Sequence, residues 1–325
     1  MRVAILGAGP GGYVAALKLA QLGAEVTVIE SSEVGGTCLN WGCIPTKTLL
    51  ASSETYAKTK ELESFGIDTA GTISPNMQKI IERKNKVVST QVKGIRGLFK
   101  SWGVTLREGK GAFISSKEIK VSLKDSTEET ITADVFIIAT GSRPAQIPTF
   151  PFDGKNIISS TEALELREIP KSLLIVGAGV IGCEFACIYS DLGSEITIVE
   201  LLPRAVSTED EAVSKLLEKE LKKKKIKLIT EIKVEKVEVR DDGVHTFLSN
   251  GKELIAEKVL VSIGRAFNTN GIGLENAGVS TGPRKEIPVN EKLQTNVPHI
   301  YAIGDVTGGI LLAHVASKQG LIAAE

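Results

Sequence analysis

Two stretches of this chain repeat each other at a constant offset of 170 residues. The segment AILGAGPGGYVAALKLAQLGAEVTVIE (4–30) aligns without a gap on LIVGAGVIGCEFACIYSDLGSEITIVE (174–200). Gly7, Gly9 and Gly12 fall on Gly177, Gly179 and Gly182, Gly23 falls on Gly193, and Glu30 falls on Glu200. Each copy reads as an apolar strand, a glycine turn, an apolar helix, a glycine stop, a second strand and an acid. A lone GxGxxG says little, but here each follows a β-rich run, opens a helical pattern and precedes an acid by 18 residues, counted from the third glycine. The first glycine permits the tight turn, and the second lets the backbone approach a pyrophosphate on the positive end of the helix. The third lets helix and strand pack closely, and the acid binds a ribose hydroxyl. Two glycine turns in an ordinary α/β domain would account for one copy. Two complete copies point to two dinucleotides, one against Gly7, Gly9, Pro10, Gly11, Gly12, Glu30 and Ser31, the other against Gly177, Gly179, Val180, Ile181, Gly182 and Glu200.

The rest of the chain fits this layout. At 325 residues it exceeds one average domain, and 42% hydrophobic residues can fill sizeable cores. Two runs, DVFIIATGSRP (134–144) and EKVLVSIGR (257–265), read as buried strands ending in turns, and HIYAIGD (299–305) ends likewise in glycine and acid. The proline-rich SRPAQIPTFPFDG reads as a crossover. Residues 52–100 read as helical, interrupted by FGIDTAGTISPN, and the lysine run in EKELKKKKIKL reads as the solvated end of a helix. The expected fold class is α/β with two Rossmann-like dinucleotide-binding domains, the second inserted in the first. The expected boundaries are 1–148 and 267–325 for the first domain and 149–266 for the second. Lys plus Arg and Asp plus Glu both total 39, which argues against nucleic acid or an anionic membrane as main partner. The start, VAILGAGPGG, reads as a strand and turn rather than a signal peptide, so the expected compartment is the cytoplasm.

Structural disulfides are rare in that compartment, so GGTCLNWGCIPTK (35–47) needs a chemical reason for two cysteines five positions apart. The segment after Cys43 reads as a helix, and a helix N-terminus favours a thiolate. Four intervening residues suit a structural zinc poorly, and the remaining cysteines, Cys183 and Cys187, lie one turn apart in the second repeat, where small buried residues are expected. No metal site is expected.

This motif resembles the redox-active disulfide of the pyridine nucleotide–disulfide oxidoreductases. The repeat, ATGS, SIGR and AIGD resemble the same family in the same order, and GTCLN, GCIPTK, GVIGCEFA and LLAHVASKQG resemble its dihydrolipoamide dehydrogenase branch. The resemblance runs the length of the chain. It implies FAD in the first fold, NAD in the second, and electron transfer between dihydrolipoamide and NAD through flavin and a Cys38–Cys43 disulfide. Cys43 matches the thiol facing the flavin, and Cys38 the thiol that exchanges with substrate. Lys47 matches the lysine beside the flavin, and Glu184 the acid paired with it near the nicotinamide; a carboxylate satisfying a helix start is the plainer reading of Glu184. Asp305, with Gly304, matches the acid on the ribityl and phosphate part of FAD. Gly36, Thr37, Gly111, Ala112, Thr140, Gly141, Ser142, Leu312, Ala313 and His314 match further FAD contacts, and Val234, Gly264 and Arg265 match NAD contacts. The implied partner is the lipoyl domain of a 2-oxo acid dehydrogenase or glycine cleavage complex, and the family is homodimeric.

The chain departs from that pattern in two places. It stops at HVASKQGLIAAE, inside a helical pattern, where the family continues into an interface domain carrying a His–Glu base pair. The expectation is a truncated enzyme impaired in lipoamide turnover. His245, expected on a surface hairpin, His299 and His314 match no such base. The second departure is GRAFNTNG, where the family has a second basic residue and a proline after Arg265. Alternatives remain: an FAD- and NAD-binding fragment with dye-reducing activity alone, or a reductase of the glutathione or mercuric type. Thioredoxin reductase carries its pair as CxxC in the other fold.

Overall fold

The computed structural model describes residues 1–325. Contacts divide the chain into two compact units, one of Met1–Asn40, Val88–Arg143 and Ala266–Glu325, the other of Trp41–Val87 and Pro144–Arg265.

The first unit is built on a parallel sheet whose strands lie in the order Ile300–Ala302, Val135–Ile138, Arg2–Leu6, Glu25–Glu30, Thr105–Ser115. The last of these continues antiparallel into Glu118–Leu123 and Glu128–Thr132. The parallel strands are near-continuous apolar runs because helices and loops cover both faces. Successive side chains point to opposite faces. Val3 and Ile5 pack with Ala15, Ala16 and Leu19 of the helix Pro10–Gln21 and with Phe99. Ala4 and Leu6 pack with Ile29, Phe113 and Phe136. Burying each large apolar side chain stabilises the fold by roughly 1.5–3 kcal/mol.

The second unit repeats this plan, with a parallel sheet in the order Ile157–Ile158, Lys258–Val261, Ser172–Val176, Glu195–Val199, Lys227–Ile229. The register carries the sequence offset: Arg2 stands opposite Glu25 and Ser172 opposite Glu195, pair for pair along both strands. Leu173 and Ile175 face Phe185 and Ile188 of the helix Val180–Leu192, together with Leu49 of the helix Cys43–Thr59. Leu174 and Val176 face Val237, Val244 and Leu248 of a separate antiparallel meander, Val234–Arg240, Gly243–Leu248 and Glu253–Ala256. That meander supplies the cover that apolar residues on a second sheet face require.

The expected helical stretch is Cys43–Thr59 and Met77–Ser101, with only the short 3-10 turn Leu62–Phe65 between them. The lysine run lies at the end of the helix Glu211–Lys223. No helix is long and apolar enough to cross a membrane.

Candidate functional site

Both glycine turns are built alike. The Ala8 N–H donates to Glu30 Oε2 at 2.7 Å and the Ser32 N–H to Oε1 at 2.7 Å. In the second copy the Ala178 N–H donates to Glu200 Oε2 at 2.6 Å and the Leu202 N–H to Oε1 at 2.8 Å. The peptide after the first glycine is held at its other end too, the Ala8 carbonyl by the Gly35 N–H and the Ala178 carbonyl by the Val206 N–H, both at 2.8 Å. Each carboxylate oxygen keeps acceptor capacity for a ribose hydroxyl. Burial raises the Glu30 pKa, against the opposing pull of its backbone donors. The helices begin at Gly9 and Gly179 with no side-chain cap, leaving their first-turn N–H groups to an anion. A Cβ at Gly12 would strike the Gly7 carbonyl, and one at Gly182 the Gly177 carbonyl, so only glycine permits these helix–strand approaches.

Further candidates gather in the first unit. Gly36 adopts φ +58°, and a Cβ there would come within 2.6 Å of Gly9 Cα. Thr37 Oγ1 donates to the Ser142 carbonyl at 3.4 Å, and the Ser142 hydroxyl donates to the Asp305 carboxylate. Thr140 Oγ1 is buried without a hydrogen-bond partner beside Gly141. Gly111 lies in the strand Thr105–Ser115 against Leu6 and Ile29, with Ala112 next to it. Leu312 caps the helix Ala313–Ala324, and His314 is exposed on its first turn.

Cys38 sits in the short helix Gly36–Asn40 of the first unit, and Cys43 is the first residue of the helix Cys43–Thr59, counted with the second. Burial, and secondarily the charge of Cys38, raise the pKa of the Tyr13 phenol. Gly42 caps the Cys43 helix with backbone alone, so its N-terminal N–H groups favour a thiolate at Cys43. One turn on, Lys47 Nζ lies 2.5 Å from Glu184 Oε1 of the helix Val180–Leu192. No acid lies in the first turn of the helix Val180–Leu192, so the plainer reading of Glu184, a carboxylate satisfying a helix start, accounts for neither its place nor this partner. Cys183 is buried and its pKa is pushed up to about 12, chiefly by burial, so its thiol stays protonated. Cys187 packs against the same core.

Val234 opens the meander and is buried, whereas Gly264 and Arg265 follow the strand Lys258–Val261. His245 corrects an expectation: it lies on the hairpin strand, yet only 5% of it is exposed. Its Nε2 faces Asp242 at 2.7 Å and its Nδ1 faces Glu253 at 2.5 Å. His299 Nε2 lies 2.7 Å from the Ser116 carbonyl. Sequence reasoning missed three braces in the first unit. Gln319 accepts the Gly304 N–H, Asn268 donates to the Thr140 carbonyl, and Arg143 donates to Asn268. No periodic signal marks them; Asn268 lies only in the segment that departs from the family pattern.

Residues 1–320 match the family model described as pyridine nucleotide-disulphide oxidoreductase. The chain belongs to that family. It is 43% identical to a dihydrolipoyl dehydrogenase of Bacillus subtilis, aligned over all of this chain and 71% of the relative. A dihydrolipoyl dehydrogenase of Chlamydia pneumoniae is 46% identical over 99% of this chain and 68% of its own length. Among solved structures, LpdA of Mycobacterium tuberculosis superposes with a TM-score of 0.94 at 31% identity, covering all of this chain and 72% of LpdA. The HOCl-induced flavoprotein disulfide reductase RclA of Escherichia coli superposes with a TM-score of 0.86 at 27% identity, over 98% of this chain and 69% of RclA. The fold is thus the FAD/NAD(P)-binding α/β fold of this oxidoreductase family, and the chain is an FAD-dependent disulfide oxidoreductase with FAD and NAD(P) as cofactors. The donor sets suit both groups: capless helix starts for pyrophosphates, acids at the strand ends for ribose, and Asp305 with its Ser142 partner and the unpartnered Thr140 hydroxyl for the rest of FAD.

Proposed function

We propose that this chain passes electron pairs between dihydrolipoamide and NAD by way of a Cys38–Cys43 disulfide. The observation that carries the reading is Lys47, one helical turn after Cys43 and paired with Glu184 of the second glycine-turn helix. That pairing joins the cysteine helix to the proposed nicotinamide-binding motif within one unit.

Bound FAD supplies the two-electron chemistry that links dithiol to nicotinamide. The protein's own groups do the rest. A substrate thiolate attacks Cys38 Sγ, the Cys38–Cys43 bond breaks, and Cys43 leaves as a thiolate held by its helix N-terminus. The second substrate thiol loses its proton, attacks its own sulfur of the mixed disulfide and releases Cys38, so cyclic substrate disulfide and protein dithiol form together. Glu30 and Glu200 hold ribose hydroxyls, the starts of the helices Pro10–Gln21 and Val180–Leu192 hold pyrophosphates, and Asp305 holds the ribityl–phosphate part of FAD. Lys47 offers positive charge, and Glu184 keeps its ammonium directed. Gly264, Arg265 and Val234 complete the nicotinamide-nucleotide side. The dithiol source is the lipoyl domain of a 2-oxo acid dehydrogenase or glycine cleavage complex. The compartment is the cytosol, whose reducing poise lets such a pair cycle.

Thiol counting tests the reading. One equivalent of NADH under nitrogen should make two additional thiols alkylatable per chain, both lost in Cys43→Ser. An unchanged thiol count after flavin reduction would remove the disulfide from the pathway. Dihydrolipoamide should then restore the dithiol in oxidised protein where glutathione does not; the reverse preference would reassign the substrate.

A further inference from the structure

Asp305 sits in the 3-10 turn Gly304–Thr307, just beyond the strand Ile300–Ala302. Both ends of this turn are held by side chains with no role assigned from sequence, Gln319 near the end of LLAHVASKQG and Arg284 outside every motif. At the front, Gln319 Oε1 accepts the Gly304 N–H at 2.7 Å. At the back, the Arg284 guanidinium donates to the Gly308 carbonyl at 3.0 Å. The same guanidinium lies over the Phe267 ring, 5.6 Å from its centroid. Phe267 is the buried residue at the place where the family pattern has proline. Between these anchors Val306 is fully buried and its carbonyl accepts the Ile287 N–H at 2.8 Å.

We propose that Gln319 and Arg284 are positioning residues for FAD, holding the Gly304–Gly308 turn so that Asp305 presents its carboxylate before the cofactor arrives. The proposal rests on the reading of Asp305 as the ribityl–phosphate acid. Ordering a turn during folding removes that cost from binding. Gln319 contributes one acceptor to one N–H, so an isosteric side chain without an acceptor leaves that N–H unpaired. Arg284 contributes a hydrogen bond and a cation–π contact at an exposed position, a smaller effect.

Titration of full-length apoprotein with FAD, read by quenching of flavin fluorescence, tests this. Gln319→Met should weaken FAD about tenfold, the effect of one orphaned donor. Gln319→Glu, which keeps an acceptor, should bind FAD close to wild type. Arg284→Ala should weaken it by about threefold. Because both act through Asp305, neither should weaken FAD further in an Asp305→Ala background. Wild-type affinity in Gln319→Met alongside weakened binding in Asp305→Ala would overturn the brace and leave the Asp305 reading standing. Wild-type affinity in Asp305→Ala would overturn the Asp305 reading and the brace with it. Equal losses in Gln319→Met and Gln319→Glu, or full additivity with Asp305→Ala, would show general destabilisation and overturn the positioning role.

Discussion

Lys47 Nζ lies 2.5 Å from Glu184 Oε1, joining the cysteine helix to the helix of the second glycine turn. The Lys47 side chain is 56% exposed and that of Glu184 23%, so the pair contributes little to stability, about 0–1 kcal/mol. A residue placed for structure would therefore show small effects everywhere. Glu184→Gln should instead lower NADH-driven dye reduction by at least about tenfold, the scale of losing one oriented charge in catalysis, while Tm falls by no more than about 4 °C. A Tm shift without a rate loss would leave Glu184 a structural partner of Lys47 only.

Glu200 should set nucleotide choice. Its two oxygens are oriented by the Ala178 and Leu202 N–H groups at the end of the second strand. A 2′-phosphate would meet this carboxylate, and like charges brought together cost several kcal/mol. The chain should strongly prefer NADH to NADPH in kcat/KM. Glu200→Ala should lose NADH affinity and narrow the ratio, with some loss of stability because two backbone donors lose their acceptor. Equal kinetics with the two nucleotides in the wild type would remove the basis for this assignment.

The two cysteines should divide their work. Cys43 occupies the helix N-terminus and is the one that favours the thiolate. Two-electron reduction of the yellow protein should give a long-wavelength absorption that Cys43→Ser abolishes and Cys38→Ser retains. The opposite result would exchange the two roles.

His245 gives the stability profile a slope. Asp242, and next Glu253, raise its pKa through hydrogen bonds, opposed by burial and by Arg240. Only the imidazolium can donate from both ring nitrogens, one to Asp242 and one to Glu253. The folded pKa is raised, so the stabilisation is fully present below the unfolded value near 6.5 and is lost as pH rises through the folded one. Urea midpoints of wild type should fall with rising pH from about 6 upward more steeply than those of His245→Gln. Parallel profiles would mean that folding leaves the ring's pKa unchanged, and a wild-type midpoint that rises with pH relative to the variant would mean that the folded ring is neutral.

The reach of sequence reasoning follows from which contacts are local. The repeated strand–turn–helix–strand unit was readable because it recurs at one offset, and the pairing follows it: the offset that matches Gly12 to Gly182 also matches Arg2–Glu25 to Ser172–Glu195. The acids Glu30 and Glu200 were readable from their fixed distance to the glycines, and each does stand at its glycine turn. Their grip on Ala8 and Ala178 was not, since backbone donors leave no mark in residue identity. The hairpin that carries His245 was readable because DDG announces a turn; the cover over its ring was not, because Glu253 comes from the next strand. Gln319 lies within LLAHVASKQG, but nothing in that run says that its side chain reaches back to the Gly304 N–H.

The last prediction separates the two half-reactions in a protein made of these 325 residues, about 70% of the length of the curated relatives. Both glycine turns, Lys47 and Glu184 lie within the chain, so NADH should reduce artificial dyes. Oxidation of dihydrolipoamide also needs a base for the substrate thiol. His245 is taken by Asp242 and Glu253, and His299 faces the Ser116 carbonyl. That leaves His314, exposed on the first turn of the helix Ala313–Ala324, which matches no base of the family pattern. General base catalysis contributes about 10²–10⁴-fold, so dihydrolipoamide turnover should fall below dye turnover by a factor in that range. Both rates should be measured on one preparation. Comparable rates would mean that a base lies among these residues, and loss of only the dihydrolipoamide rate in His314→Gln would identify it.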